Sequence, residues 1–324
     1  MAPAAPPHEH PADRHHRGCV EASGAGHTAR VTEPPVLPTA SYAVTGATGH
    51  LGRLAVDDLL RRGVPARNVF ALVRDPSRAE DLAALGVGIR EADYDRPETL
   101  DAALEGIERL LLVSGNEVGR RVEQHTAVVR AADAADVGFI VYTGILRADE
   151  TDLVLAPEHA ETEKVLVDSG IPFAVTRNSF YLEVYTRRLD EWLEKGEIVA
   201  AAGDGRVSAA TRADFAEAAV ALLAGDIVDS TGLWELGGPG FTFAELAHTI
   251  TEITGTTVTY RDVSAETLVE EMTAAGAPED TARFVAALDV STAHGALETS
   301  PEPLTRMLGR DPTSAADAIR AARL

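Results

Sequence analysis

The chain has 324 residues, 45% of them hydrophobic, enough to bury one large core or two modest ones. Its 51 acidic and 29 basic residues give a net charge of −22 without a basic stripe, which argues against nucleic acid or an anionic membrane as a partner. The single cysteine, Cys19, excludes an intramolecular disulfide framework and fits a cytoplasmic protein, and no apolar run reaches the roughly 20 residues of a membrane helix.

Residues 1–39 show no periodicity and are rich in Pro, Ala, Gly and His, a composition that predicts a disordered tail. His8, His10, His15, His16 and Cys19 are chemically suited to a transition metal, but low-complexity sequence explains them and no metal site is assigned. The opening stretch lacks the apolar core of a secretion signal. At Tyr42 the pattern changes. A short apolar strand, Tyr42–Val44, runs into a turn made of Gly46, Ala47, Thr48, Gly49, His50, Leu51 and Gly52, and then into an amphipathic helix over 51–62. A strand that turns sharply into a helix aims free backbone N–H groups and the positive helix end at one spot, which suits a pyrophosphate. Gly46 permits the tight turn, Gly49 lets the backbone approach the phosphates, and Gly52 lets the helix sit close to the sheet.

Further apolar strands follow at 69–73, 87–89, 110–113, 139–142 and 173–175, separated by helical stretches at 77–85, 97–104, 122–135 and 157–168. This alternation predicts a parallel sheet covered on both faces over residues 40–178. The fold class is therefore α/β: a Rossmann-like doubly wound sheet that binds a dinucleotide. Residues 179–324 read as a smaller, mostly helical region that roofs the substrate pocket. Its helices are expected at 182–194, 212–224, 243–254, 265–274 and 278–288, and its short strands at 233–236 and 258–260.

Candidate contacts gather where strands end. Arg74 closes the second strand, where an arginine accommodates a ribose 2′-phosphate and an acidic residue would bind the 2′-hydroxyl; it favours NADPH, with Arg53 and Arg78 as helpers. Asp75 is turned away by Pro76. Asp93 and Tyr94 end the third strand, beside the adenine or in a plain turn. Ser114, Gly115 and Asn116 follow the fourth strand and let a ribose lie against the backbone. Thr143 and Gly144 follow the fifth, next to the nicotinamide. On the 157–168 helix, His159 and Glu163 share a face, and Lys164 either holds the nicotinamide ribose or pairs with Glu161 on the surface. Asn178, Ser179, Phe180 and Tyr181 leave the sixth strand with an amide and two aromatics, suited to a flat ring stacked on nicotinamide or to core packing. Arg212 and Asp214 line the far wall of that pocket or form an ion pair at a helix start.

These residues together resemble the NmrA-like branch of the atypical short-chain dehydrogenase/reductases, and within it the type 2 NADPH:quinone reductases of bacteria. The resemblance rests on TGATGHLG (45–52), LVRDP (72–76), ADYDRPETL (92–100), LLLVSGNEVG (110–119), EHAETEK (158–164), RNSFY (177–181), AAGDG (201–205), ATRAD (210–214) and LTRMLGRDPTS (304–314). It covers almost everything after residue 40. It implies NADPH held by Gly46–Gly52, Arg74 and Ser114–Asn116. It also implies a quinone between the 178–183 loop, which includes Leu182 and Glu183, and the 210–215 segment, which includes Thr211. A soluble enzyme, often oligomeric, is implied as well. One departure carries chemistry. In ordinary short-chain reductases a Tyr acid stands four residues before the active-site Lys, and here that position is Ala160. A ketone reductase needs that acid, whereas a quinone delocalises the added charge. The expected activity is hydride transfer from NADPH to a quinone, with Asn178 and Lys164 as catalytic residues. The alternatives are a non-catalytic NADP(H) sensor acting through a protein partner, as in other members of that family, and a reductase of another conjugated acceptor.

Overall fold

Short apolar runs that recur between helices can bury both faces only inside a parallel sheet, and that is what they build. The computed structural model describes residues 39–227 and 230–323. The first half runs β1 (Tyr42–Thr45), α1 (His50–Arg61), β2 (Val69–Val73), α2 (Glu80–Ala84), β3 (Gly88–Glu91), α3 (Pro97–Leu104), β4 (Arg109–Leu112), α4 (Arg121–Ala134), β5 (Phe139–Ile145), α5 (Ala156–Ser169) and β6 (Phe173–Asn178). The second half runs α6 (Leu182–Thr186), α7 (Leu189–Lys195), β7 (Glu197–Ala200), α8 (Arg212–Ala224), β8 (Gly232–Leu236), α9 (Phe243–Thr254), β9 (Thr259–Asp262), α10 (Ala265–Ala274), α11 (Glu279–Ala293), α12 (Glu302–Leu308) and α13 (Ala315–Ala322).

Seven strands form one sheet in the order β3-β2-β1-β4-β5-β6-β8, every neighbouring pair parallel. The chain winds outward from β1 to β3 and then returns to the other side of β1 to lay down β4. That reversal opens a crevice at the carboxyl ends of β1 and β4, the place where open α/β sheets bind ligands. Period-two alternation feeds two cores. Tyr42 and Val44 of β1 pack with Leu51, Val56 and Leu59 of α1 and with Phe215 and Leu222 of α8. Ala43 points the other way, into a cluster with Leu100 and Leu104 of α3, Val128 of α4 and Leu166 of α5. A third cluster joins Leu182, Tyr185, Trp192, Ile198, Phe243, Ile250 and Ile319 from α6, α7, β7, α9 and α13.

The alternation from Tyr42 to Asn178 folds as expected, and the second half departs from expectation in four places. The strand at 233–236 is not part of a separate roof: β8 pairs with β6 as the seventh sheet strand, and α8 covers the sheet beside α1. Chain connectivity therefore does not divide at 178. A strand absent from the sequence reading, β7, pairs with β9 in a second, two-stranded sheet. The single helix expected over 182–194 is two, α6 and α7, and α12 and α13 add short turns near the end. The tail over residues 1–38 lies outside the described residues. Among the described residues no helix is long and apolar enough to cross a membrane.

The glycine turn after β1 has the shape its spacing predicts. Gly46 takes a left-handed φ of +57°, and its carbonyl accepts the Gly49 N–H at 2.8 Å. A Cβ on Gly52 would lie 2.3 Å from the Gly46 carbonyl oxygen, and one on Gly49 would lie 3.1 Å from it. Gly52→Ala must therefore push α1 off the turn. Overpacking of this kind costs about 1–3 kcal/mol, so thermal unfolding should begin several degrees lower; an unchanged Tm would contradict the close approach.

Candidate active site

Threonine hydroxyls hold the strand ends around the crevice. Thr45 accepts the Val113 N–H at 2.9 Å, and Thr143 accepts the Ser114 N–H at 2.8 Å while donating to Ser114 Oγ at 3.3 Å. The loop after β4 is thus fixed to β1 and β5, and Thr143, itself buried, acts through Ser114. Across the crevice, α1 starts at Gly49 with no side-chain cap, so its positive end faces the gap unopposed by a neighbouring side chain. Ala47 and Leu51 are buried as packing for the turn, Thr48 is half-buried, and His50 is exposed.

Arg74 leaves β2 with a side chain 70% exposed, and among the described residues its charged contact is Glu117 at 3.8 Å. It is available for an anion. Arg53 is not, because Asp57 and Asp81 both engage its guanidinium. Arg78 is exposed. Asp75 faces its own turn, accepting the Ser77 N–H at 3.0 Å and the Ser77 hydroxyl at 2.7 Å. Asp93 likewise caps a turn, accepting the Asp95 N–H at 3.1 Å. Tyr94 reaches under the crevice toward the Val113 carbonyl, and burial pushes its phenol up to about 12. Ser114 and Gly115 are half-buried and Asn116 is exposed.

The end of β6 carries a buried amide with nothing to bind. Asn178 is 3% exposed, and neither its Nδ2 nor its Oδ1 has a hydrogen-bond partner. An unpaired buried amide is costly, which makes Asn178 unusual among the polar residues of the sheet. The preceding residue is the opposite case. Arg177 is buried and ion-paired with Glu163 at 2.5 Å, Asp149 at 2.8 Å and Glu235 at 3.0 Å. Burial alone would depress its pKa, but its hydrogen bonds to these carboxylates outweigh burial and raise it.

The other expected acceptor contacts are largely used for structure. Ser179 is buried and donates its hydroxyl to the Leu297 carbonyl at 3.1 Å. Phe180 packs on the cluster around Tyr185 and Trp192. Tyr181 packs on the α1–α8 cluster, edge-on to Phe215 at 5.8 Å and under the Arg212 guanidinium at 4.4 Å. These rings are wedged between two cores rather than laid open as a platform. Leu182 is buried, Glu183 accepts the Arg212 N–H at 3.0 Å, and Thr211 caps α8 by accepting the Asp214 N–H at 3.1 Å. Glu183 also pairs with Arg212, while Asp214 pairs with Arg310 at 2.9 Å.

Lys164 is not brought to the strand ends. Its side chain is 67% exposed and its Nζ donates to Glu161 at 2.6 Å. The phase of α5 explains this: His159, Thr162, Glu163 and Leu166 take the buried face, which leaves Lys164 outside. Gly144 makes room for a neighbour, since a Cβ there would lie 3.0 Å from Val175 Cγ1. The buried polar residues behind the crevice were not assigned a role from sequence. His125, fully buried, lies 3.1 Å by Nδ1 from Thr162 Oγ1, and His159 lies 2.7 Å by Nδ1 from the Tyr142 hydroxyl. Their signal was a polar residue on an apolar helix face: His125 falls in line with Val128, Val129 and Ala132 of α4. Among the described residues no group of His, Cys, Asp and Glu could hold a metal ion; the tail histidines lie outside them.

The NmrA-like family model matches residues 38–302. The chain belongs to the NmrA-like family. Within the NmrA-like proteins it is 40% identical to quinone oxidoreductase 2 of Escherichia coli, over 86% of this chain and 96% of that protein. The solved structure of that NADPH-dependent enzyme with NADPH superposes with a TM-score of 0.82, covering 87% of this chain and all of the other. The NADP(H) complex of triphenylmethane reductase from a Citrobacter species matches with 34% identity and a TM-score of 0.82, again over 87% of this chain and 100% of that one. The sheet order, the glycine turn and the crevice described above are therefore those of an NmrA-like Rossmann fold.

The two buried imidazoles make stability depend on pH. Burial, with Arg121 nearby, lowers His125 and His159 to about 3, from an unfolded value near 6.5. The unfolded chain then binds more protons than the native one between those values, so stability is complete above about pH 6.5 and falls as pH drops toward 3. Each imidazole contributes a slope of about 1.4 kcal/mol per pH unit in that window. Asp289, raised by burial to about 6, works the other way and offsets one of the two. Urea unfolding should show lower stability at pH 5 than at pH 7; equal stability would mean that the imidazoles titrate in the native state.

Proposed function

We propose that this chain is an NADPH-dependent oxidoreductase that transfers hydride to a quinone. The observation that carries the reading is the full-length similarity to a quinone oxidoreductase whose structure holds NADPH. The chain's own residues fit that cofactor. Gly46 and Gly52 bring backbone and helix end together with no Cβ in the way, which leaves a gap for a pyrophosphate. Arg74, exposed and 3.8 Å from Glu117, is the cation that we assign to a 2′-phosphate. Ser114, tied back by Thr143, and the neighbouring Gly115 and Asn116 give a small-residue surface on which a ribose can lie.

When bound, NADPH supplies the hydride. The protein's task is to hold the acceptor ring against it and exclude misaligned poses. Asn178 is assigned to the acceptor: its unpaired Nδ2 donates to a quinone oxygen as charge develops there. Lys164 takes no part in this scheme, and Ala160 places no phenol four residues before it. The proton comes from solvent after the charge has spread over the ring. Following NADPH absorbance with simple benzoquinones tests the reading. Binding of NADPH without acceleration of quinone reduction would overturn it.

Two variants test the residue assignments. Arg74→Ala should weaken NADPH binding roughly ten- to a hundredfold, the effect of a charge-assisted contact of about 1.5–3 kcal/mol, and leave NADH binding unchanged. Equal losses for both cofactors would remove Arg74 from the 2′-phosphate site. Asn178→Ala should lower kcat about tenfold or more while NADPH affinity holds. A variant with wild-type kinetics would show that the amide does not meet the acceptor.

A further inference from the structure

Beyond Ser114, the loop after β4 is held by α4 and α5 through a continuous set of hydrogen bonds. The Gly115 N–H donates to His125 Nε2 at 3.0 Å, and the Gly115 carbonyl accepts from Arg121 Nε at 2.9 Å. Arg121 Nη1 donates to one carboxylate oxygen of Glu158 at 2.7 Å, and the other oxygen accepts the Gly119 N–H at 2.7 Å. The Thr162 hydroxyl donates to the Glu158 carbonyl at 2.9 Å. Its oxygen is thereby left to accept, so His125 Nδ1, 3.1 Å away, must be the protonated ring nitrogen. The other end of the ring demands the same tautomer, because Nε2 faces a backbone N–H and must accept.

We infer that His125 is a positioning residue of the cofactor site: as the neutral Nδ1–H tautomer it fixes the Gly115 N–H, Arg121 fixes the Gly115 carbonyl, and together they set the backbone against which the cofactor ribose lies. The inference rests on the NADPH reading above. A Cβ at 115 would come within 3.3 Å of Gln124 Oε1 and 3.7 Å of His125 Nε2, so the loop lies close against both side chains. Arg121 is the cation facing the imidazole, and it is itself paired with Glu158. Tyr142 and Tyr94 pack edge-on to the ring at 5.4 and 6.3 Å, and His159, kept neutral, lies on the far side of Tyr142. Burial and Arg121 keep His125 uncharged well below neutral pH. Protonating Nε2 would set two donors face to face and release Gly115.

Nitrogen-15 NMR of the histidine-labelled protein without cofactor tests the hydrogen-bond set directly. His125 should show a protonated Nδ1 and an unprotonated Nε2, unchanged between about pH 6 and pH 8; a protonated Nε2, or titration in that range, overturns the inference. Binding titrations test the role. His125→Gln can place Oε1 where Nε2 lies and should keep the NADPH Kd within about threefold of wild type, whereas His125→Leu leaves the Gly115 N–H unpaired and should raise it about tenfold. The quinone KM and the kcat at saturating NADPH should change by less than about twofold in both. Equal losses in Gln and Leu, or a Leu variant that alters Tm alone, overturn the assignment. Wild type failing to bind NADPH would overturn the functional reading together with this role; wild type binding while the Leu variant binds equally well overturns the role alone.

Discussion

A side chain at position 52 would put a carbon 2.3 Å from the Gly46 carbonyl oxygen, so β1 and the first turn of α1 meet only because Gly52 carries none, while Gly46 supplies the left-handed turn between them. From that contact the crevice follows. Because α1 begins directly at the end of β1, its uncapped N-terminus lies at the point where the strand order reverses. The opposite wall, the loop after β4, is bound to the same strand end through Thr45 and to β5 through Thr143. The gap between them is therefore set by backbone on both sides, with the exposed Arg74 and its ion-pair partner Glu117 beyond β2 and β4. In a protein with a net charge of −22 an anionic cofactor is favoured only by local groups, and the positive end of α1 and Arg74 are the ones we propose.

Strand β6 carries adjacent polar residues that are satisfied to opposite degrees. Successive residues on a strand face opposite sides. Arg177 draws α5, β8 and the segment after β5 together through Glu163, Glu235 and Asp149. Ion pairs that are buried contribute little net stability, but they demand one geometry, since an unpaired buried charge is strongly unfavourable. Asn178, the next residue, is held by that same strand yet has no partner for either end of its amide. Ser179, one step on, returns to structure by binding the Leu297 carbonyl.

The first half of the molecule was legible in the sequence because its signals are local. A buried parallel strand is a short apolar run, and the helices between such runs carry period-3.6 faces and glycine stops. The element β7 carried only a weak signal, the short apolar run at 198–200. Its four residues, Glu197 to Ala200, become a strand only by pairing with β9, whose first residue, Thr259, is far along the chain. The place of β8 in the large sheet is equally non-local, since Leu233–Leu236 reads as a strand but nothing nearby says which sheet it joins. Within the site, the shape of the glycine turn was readable from its spacing, and the exposure of Arg74 from its place at a strand end. The fates of Ser179, Tyr181 and Lys164 were not, because each depends on a distant partner or on helix phase: the Leu297 carbonyl, the Phe215 and Arg212 side chains, and the burial of Glu163 in place of its neighbour.

The chemistry of α5 narrows what the crevice can reduce. A ketone accepts hydride only as a proton reaches its oxygen, so a ketone reductase needs an acid of suitable pKa beside the reacting carbonyl. The inward positions of α5 offer none. Ala160 has no acid, His159 is bonded to Tyr142 and held neutral by burial, and Glu163 is committed to Arg177. The Tyr142 phenol is itself pushed upward by burial and engaged by His159, which removes it as a donor to the crevice. Acceptors that suit such a site are those in which hydride addition and protonation need not coincide. A quinone meets that condition because its ring carries the added charge across two oxygens. A single donor at one of those oxygens can then do what an acid would do for a ketone, by stabilising charge without giving up a proton, and Asn178 is the residue we propose for it.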